Sequence, residues 1–386
     1  MYKLPEKDVQ PPGRMLTFKS GGWVLLLSGV LMAAILARLL IPVFEKARSG
    51  DYPRSRDSAP GYAGGQGGLV SVPAPCLIPQ DEIHRGATKD AIPALTDPEI
   101  AAGKDVEEMN KRRRRIERRK FLLGGDRVIG LTISGQSRAY PLNILSWHEI
   151  VNDTLGGMPI AVTYCPLCDS VLVFDRRAGG EVLEFGVSGL LYNSNILLYD
   201  RRLEGEGAIG ESLWSQLQMR AVCGPAAEAG LTLDLIPAEL VHWSDWFARH
   251  PDTTVISDRT GYGRKYGRNP YGQYFDVGKL RFPVNPEPPA GGPPAMARVL
   301  AVQVDGGWKL FDYEGKTWRD RIAQQSILLE ESAGLKFHFE PQTPSMDPAT
   351  VRVVASDGSI PTVVYSFWFA WHAMNPGGKQ PVPAEY

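Results

Sequence analysis

The sequence predicts an α+β fold in which β-strands dominate, in a hairpin-rich single domain behind an N-terminal transmembrane helix. Three observations lead to this prediction: one long apolar run near the N-terminus, a Gly- and Pro-rich segment after it, and many short apolar stretches bounded by turn residues. The 386 residues include 41 Gly and 31 Pro, a usage that favours turns and short strands over long helices. The formal net charge of −1 provides no bulk positive field for phosphates, so we expect no nucleic-acid binding.

The apolar run covers residues 21–44, GGWVLLLSGVLMAAILARLLIPVF, and only Ser28 and Arg38 interrupt it. This is about the length that a helix needs to cross a bilayer. The run is long for a signal peptide and no clear small-x-small cleavage site follows it, so we expect an uncleaved anchor. Basic residues precede the anchor, and the positive-inside bias then makes residues 1–20 a cytoplasmic tail. The bulk of this single-pass inner-membrane protein is expected in the periplasm.

Residues 45–80 are rich in Gly, Pro and Ser and show neither a helical nor a strand period, which predicts a flexible tether. Four cysteines are too few for a disulfide scaffold. Cys76, in the tether, is a free thiol, the partner of Cys223 or a metal ligand, in that order of preference.

A basic run, KRRRRIERRK, occupies residues 111–120. Its simplest interpretation is a solvated helical or turn-rich surface that continues from DVEEMN. The functional alternative is contact with anionic lipid headgroups or with an acidic subunit of a membrane complex.

Residues 81–386 are expected to form the extracytoplasmic β-rich domain. RVIGLTISGQSRAYPL (127–142) predicts a hairpin around a Gly-Gln-Ser turn, and RVLAVQVDGGWKLFDY (298–313) has the same Arg-Val plan. Two similar hairpins suggest an internally duplicated architecture. Helices are predicted at LNILSWHEIVND (142–153) and at SDWFARH, with Ser244 as its N-cap. Further strands are predicted at MPIAVTY, SVLVFDR, VLEFGVSG, NILLYDR, TTVIS and TVVYSFWF.

Cys165 and Cys168 lie in TYCPLCDS, at a turn between two predicted strands. The turn brings two sulfurs to one point and can present N–H groups to thiolates, which favours metal binding. A redox dithiol, a local disulfide and inert thiols are the alternatives. Because a strand pattern follows the pair, it lacks the helix N-terminus on which thioredoxin-like dithiols depend.

His148 precedes the pair and adds an imidazole, so that Cys165, Cys168 and His148 form a ligand set suited to copper first and zinc second. His372 and Met374, in FWFAWHAMNP, are candidates for a further position. The structural alternative for His148 is a histidine bonded to a neighbouring carboxylate, Glu149 or Asp153, and for His372 it is packing among aromatic residues.

A second group of polar residues lies in FGVSGLLYNSNILLYD and SLWSQ. Hydroxyl and amide groups beside an indole can line a polar ligand pocket. The alternative is that they satisfy backbone groups at a turn. The candidate pocket residues are Ser188, Tyr192, Asn193, Asn195, Trp214 and Gln216.

Several ordered blocks together resemble one bacterial and archaeal family, catalogued as domain of unknown function 3179, from about residue 82 to residue 375. The blocks are RAYPLNILSWHEIVNDTLGGMPIAVTYCPLCDSVLVFDR, FGVSGLLYNSNILLYDR, SLWSQL, HPDTTVIS, YGRNPYGQYF and FWFAWHA. The resemblance implies an N-terminal export signal or anchor. It places the family's cysteine pair on Cys165 and Cys168 and its histidine block on His148, and it implies no catalytic residue.

The sequence therefore favours a membrane-anchored extracytoplasmic protein with a small thiolate and imidazole metal site, for redox work or metal handling. Two alternatives stay open. One is an accessory or docking subunit of a membrane complex without chemistry of its own, and the other is a thiol–disulfide protein that uses the Cys-Pro-Leu-Cys pair.

Overall fold

Strands dominate the part of the chain that the structure describes. The computed structural model describes residues 72–116, 120–201, 211–304, 307–312, 327–332, 335–341, 351–355 and 358–376. Within these ranges strands far outnumber helices, which confirms the β-dominant α+β class. The predicted anchor (21–44) and most of the predicted tether (45–80) lie outside the described residues. Among the helices that are described, none has the length and apolarity needed to cross a membrane.

A seven-stranded sheet separates two hydrophobic cores. Neighbouring strands are antiparallel, apart from the last pair in the order that follows, which is parallel. From edge to edge the strands, numbered in chain order, are β18 (Gly307–Asp312), β17 (Arg298–Val304), β22 (Val363–Phe367), β8 (Ser170–Asp175), β7 (Met158–Cys165), β6 (Ile150–Leu155) and β2 (Leu95–Thr96).

Strand β7 shows why this sheet lies in the middle. Its sequence, MPIAVTYC, is a nearly continuous apolar run, which is typical of a strand covered on both faces. Because successive side chains point to opposite faces, Ala161 and Cys165 enter the first core while Val162 and Tyr164 enter the second. The cysteine pair therefore belongs to the first core.

A five-stranded antiparallel sheet covers the first core. Cys223, on its edge strand, forms a disulfide with Cys76. The prediction that ranked first for Cys76, a free thiol, is therefore wrong, and the one that ranked second, pairing with Cys223, is confirmed. The strands are β1 (Ile83–Arg85), β11 (Glu184–Tyr192), β12 (Asn195–Arg201), β13 (Leu213–Ser215) and β14 (Arg220–Cys223).

Another five-stranded sheet covers the second core. It contains the first predicted hairpin, but its turn is Ser134–Gly135 rather than Gly-Gln-Ser, since Gln136 and Ser137 already pair in the second strand. Ser134 and Gly135 both have positive φ, as tight hairpins require. The second predicted hairpin is also observed as an antiparallel pair, β17 and β18, but in the middle sheet. In pairing order the strands are β15 (Glu239–His242), β4 (Arg127–Ile133), β5 (Gln136–Pro141), β16 (Thr254–Ile256) and β3 (Ile100–Ala102).

The described helices are short and lie between the strands. The α-helices are α1 (Val106–Ile116), α2 (Leu142–His148), α3 (Pro225–Glu228), α4 (Trp243–Arg249), α5 (Gly272–Val277) and α6 (Trp368–Met374), with 3-10 turns at Gln80–Glu82 and Gly103–Asp105. Two small sheets complete the described structure: β9 (Arg177–Ala178) with β10 (Glu181–Val182), and β19 (Ile327–Ser332), β20 (Leu335–Pro341) and β21 (Val351–Ala355).

Both predicted helices need correction. Helix α2 ends at His148 instead of continuing to residue 153, because Glu149 adopts a left-handed backbone (φ 58°) and the β-branched Ile150 begins strand β6. Helix α4 begins at Trp243, with His242 rather than Ser244 at the N-cap. Helix α1 continues from DVEEMN into the first part of the basic run, and Lys111 and Arg112 are exposed, as the simplest interpretation of the run predicts for these two residues.

Helix α4 packs closely on β4 through one glycine. A Cβ atom at Gly130 would lie 2.3 Å from the ring of Trp246, which is fully buried. Residue 130 must therefore lack a side chain for the helix to approach the sheet.

Candidate functional site

The two cysteines of the Cys-Pro-Leu-Cys turn lie together, reduced and fully buried. The Sγ atoms of Cys165 and Cys168 are 3.9 and 3.3 Å from the same carbonyl oxygen, that of Ser194. This oxygen is presented by a two-residue hairpin turn, in which Asn193 and Ser194 have φ of 50° and 61°. The predicted convergence of the two sulfurs is thus present in the structure.

The thiol of Cys168 is neutral in this environment. Burial raises its pKa well above the ordinary value, and the neighbouring Cys165 adds to the increase. The side-chain amide of Asn195 hydrogen-bonds to the sulfur and acts in the opposite direction, more weakly. The backbone N–H of Cys168 donates to the Cys165 carbonyl (3.2 Å) and closes the turn. A nearby cation would therefore have to displace thiol protons in order to bind.

His148 lies at the end of α2, fully buried, and both of its ring nitrogens are in hydrogen bonds. Nδ1 is 2.7 Å from the carbonyl oxygen of Pro93, and Nε2 is 2.6 Å from the hydroxyl of Tyr266. A carbonyl oxygen only accepts, so the proton is on Nδ1 and the tyrosine donates to Nε2. Burial lowers the pKa of His148 to about 4. In this conformation neither nitrogen is left to join the two sulfurs.

The carboxylates proposed as partners of His148 have other contacts. Glu149 is fully buried, and its Oε1 accepts a hydrogen bond from the hydroxyl of Tyr271 (3.2 Å). Burial, and then the charge of Glu149, raises the pKa of Tyr271 well above its usual value. Asp153 pairs with Arg138 at 2.6 Å. His148 is instead held by a backbone carbonyl and a phenol.

His372 and Met374 lie on helix α6. The partly exposed ring of His372 contacts Trp368, with ring centroids 4.9 Å apart, in agreement with the packing alternative. Met374 is buried and lines a separate cavity of about 360 Å³. No cluster of three or more His, Cys, Asp or Glu side chains that could hold a metal ion occurs in the described ranges.

Two of the predicted pocket residues form a buried network beside the thiols. Gln216 accepts hydrogen bonds from Ser170 (2.7 Å) and Asn195 (2.9 Å) through Oε1 and donates to Thr163 (2.9 Å) through Nε2. All four side chains are fully buried. These four side chains therefore form a polar surface beside the buried cysteine pair.

The remaining predicted pocket residues are structural in this conformation. Ser188 donates to the Leu197 carbonyl, at 2.5 Å. Asn193 accepts from the backbone N–H of Asn285 at 2.7 Å, as the turn alternative predicts. Tyr192 and Trp214 belong to the first core.

Sequence reasoning missed Asp169, which immediately follows the cysteine pair and is buried at the centre of an ion network. Its carboxylate accepts two hydrogen bonds from Arg127 (3.0 and 3.1 Å) and one from Nε of Arg298 (2.6 Å). The hydroxyl of Tyr164 donates to it as well (2.8 Å). The positive charges of the arginines hold the pKa of Asp169 well below its usual range.

The signal that could have identified this network was present in the sequence. Arg127 and Arg298 are the first residues of the two Arg-Val hairpins, and both reach the same carboxylate although their hairpins lie in different sheets. The Arg-Val pair at the start of each hairpin therefore marks two arginine side chains that meet at Asp169.

A cleft of about 530 Å³ opens beside this network. It lies between helix α2, strand β7, the start of β4 and the loop that precedes α5. We call it the arginine cleft. Its lining residues are Lys120, Leu123, Asp126, Arg127, Leu142, Asn143, Ser146, Tyr164, Tyr266, Gly267, Arg268 and Asn269.

The chain belongs to the family described as "Protein of unknown function (DUF3179)", which it matches over residues 89–378. This range includes the cysteine turn, the ion network and the arginine cleft. No curated protein and no solved structure matches the chain.

Proposed function

We propose that this protein binds a soft metal ion between Cys165 and Cys168, with copper as the first choice and zinc as the second, and handles that metal outside the cytoplasmic membrane. The observation that carries the proposal is the convergence of both Sγ atoms on the carbonyl oxygen of Ser194, at 3.9 and 3.3 Å, in the buried first core beside the Gln216 network. Two thiolates placed in this way select soft cations.

The donor set favours copper over zinc. Structural zinc takes four ligands in a tetrahedron. His148, the third ligand that the sequence suggested, has both nitrogens in hydrogen bonds. Copper(I) binds well to two thiolates alone, so this pair needs no third ligand; the two thiol protons are released on binding and leave a complex with a single negative charge.

The extracytoplasmic setting is part of the proposal. It is supported by the apolar run at 21–44 and by the Cys76–Cys223 disulfide, because stable disulfides are typical of oxidising compartments. In such a compartment a bound metal protects a neighbouring thiol pair from oxidation. The basic run at 111–120 would face anionic lipid or an acidic subunit on the same side.

Metal analysis of the full chain, purified in mild detergent and loaded with copper(I) under reducing, anaerobic conditions, tests the proposal. We expect about one copper ion per chain in the wild type and none in Cys165→Ser or Cys168→Ser. His148→Gln is the matched control, and it should retain the metal because its imidazole does not face the sulfurs. Equal copper content in the wild type and both serine variants would refute the metal site.

Labelling of free thiols in the same samples tests the thiol–disulfide alternative. The two sulfurs that converge on one oxygen are also candidates to form a disulfide with each other. If labelling of free thiols shows that the wild-type pair closes and reopens reversibly without metal, and the protein binds no copper, then thiol redox chemistry replaces the metal proposal.

A further inference from the structure

We propose that the arginine cleft binds a small organic anion, a carboxylate or phosphate ester that also carries hydroxyl groups. The cleft does not include Cys165 or Cys168. Binding of an anion there does not depend on a metal bound to the two thiols. Tyr164 lies between the two sites, because it lines the cleft while the next residue, Cys165, points into the first core.

The charge of the cleft is the first argument. Its lining includes three cationic side chains, Lys120, Arg127 and Arg268, and a single carboxylate, that of Asp126. Within the described part of the chain, Lys120 and Arg268 have no carboxylate partner. An Oδ atom of Asp126 accepts a hydrogen bond from the backbone N–H of Leu123 at 2.7 Å. This carboxylate therefore stabilises the turn at residues 123–126. An anion is therefore the ligand that this lining favours.

The rigidity of the cationic wall is the second argument. Both terminal nitrogens of Arg127 are bound to Asp169, and the same carboxylate also accepts a hydrogen bond from Arg298. The position of the Arg127 guanidinium group is therefore fixed before any ligand arrives. Preorganised guanidinium groups bind carboxylate and phosphate better than flexible ones, since less side-chain freedom is lost on binding.

Asn143 lines the cleft beside these cations and offers a second polar contact for a ligand. Its side-chain nitrogen donates to the carbonyl of Phe121 at 3.0 Å, and because a carbonyl only accepts, the orientation of the amide is fixed. Its Oδ1 atom is buried and has no hydrogen-bond partner in the described structure. A buried acceptor without a donor is costly, and a ligand hydroxyl would supply the donor.

The walls and the volume limit the size of the ligand. Leu142 and the rings of Tyr164 and Tyr266 give the cleft apolar and aromatic surfaces, and about 530 Å³ is the size of a small-molecule site. Tyr266 also holds His148 through its hydroxyl, so the wall is fixed to the core. A hydroxylated anion the size of a sugar acid or sugar phosphate fits these features.

Calorimetric titration of the full chain in mild detergent tests the proposal. The ligands are gluconate, glucose 6-phosphate and inorganic phosphate, with uncharged glucose as the comparison. We expect saturable binding of at least one anion at millimolar or lower concentration, weakened by salt, and about tenfold weaker binding in Arg268→Gln, which loses one charge-assisted contact. Which anion binds best distinguishes a carboxylate ligand from a phosphate ligand.

Matched variants make the result specific. Arg259→Gln removes the same charge from an exposed ion pair with Glu99, outside the cleft, and should bind like the wild type. Cys165→Ser should also bind the anion normally, so failure of the metal site and failure of the cleft are distinguishable. The proposal is overturned if no anion binds at up to about 10 mM, if glucose binds as well as the anions, or if Arg268→Gln and Arg259→Gln behave alike.

Discussion

Acid should destabilise this protein through His148. The folded state holds the imidazole neutral because it is buried and lies near the positive charge of Arg264, and its pKa falls from an ordinary 6.5 to about 4. The unfolded chain therefore binds a proton below about pH 6.5, whereas the folded chain does not bind it until about pH 4. The free energy of unfolding that this residue contributes is present above the upper pKa and is lost as the pH falls through this window.

The size of the effect follows from the shift. A change of about 2.5 pKa units, the difference between 6.5 and 4, corresponds to roughly 3.5 kcal/mol at about 1.4 kcal/mol per unit, of which roughly 3 kcal/mol is lost by about pH 4. His148→Gln keeps a donor for the Pro93 carbonyl and an acceptor for Tyr266 but cannot be protonated in this range. The variant should therefore lack this part of the pH dependence.

Urea unfolding of the full chain, followed by tryptophan fluorescence, measures the difference. Between about pH 7 and about pH 4 the wild type should lose roughly 3 kcal/mol more than His148→Gln. Carboxylates elsewhere titrate in the same window, but their contribution cancels when the two proteins are subtracted. Parallel curves of stability against pH would show that His148 is not held neutral, and the tautomer and contacts assigned to it would have to be abandoned.

Three further substitutions test the fold and the ion network. Replacing Cys76 and Cys223 together by serine should lower the free energy of unfolding by about 5 kcal/mol, because the disulfide closes a loop of 147 residues; an unchanged urea midpoint would contradict the pairing. Gly130→Ala should cost roughly 1–3 kcal/mol through overpacking against the indole ring of α4, whereas Gly125→Ala, with open space around its Cβ, should be close to neutral in thermal unfolding. Asp169→Asn should destabilise by roughly 3–5 kcal/mol, because two poorly solvated guanidinium groups lose their counter-ion; a melting temperature equal to that of the wild type would refute the network.

Local features of the fold were predictable from the sequence. The first hairpin, the strands on both sides of the cysteine turn and the convergence of the two sulfurs depend on alternation, on turn residues and on a spacing of three positions. These are interactions between neighbours in the chain, and simple patterns encode them well.

Features that depend on distant residues were not predictable. Helix α2 ends early because Glu149 turns into the interior, where Tyr271, more than a hundred residues later, meets its carboxylate. His148 is likewise fixed by Tyr266, 118 positions away. No local pattern reports such partners, so the ligand role of His148 rested on sequence proximity alone. Tertiary contacts override local preference at these positions.

The order of strands in the middle sheet has a consequence for biogenesis. Strand β22 follows every other member of this sheet along the chain, yet it occupies an interior position, between β17 and β8. During synthesis the two halves of the sheet keep open edges until residues 363–367 emerge. Unpaired strand edges template aggregation, so β17 and β8 are exposed to edge-to-edge pairing with other chains until this last strand joins them.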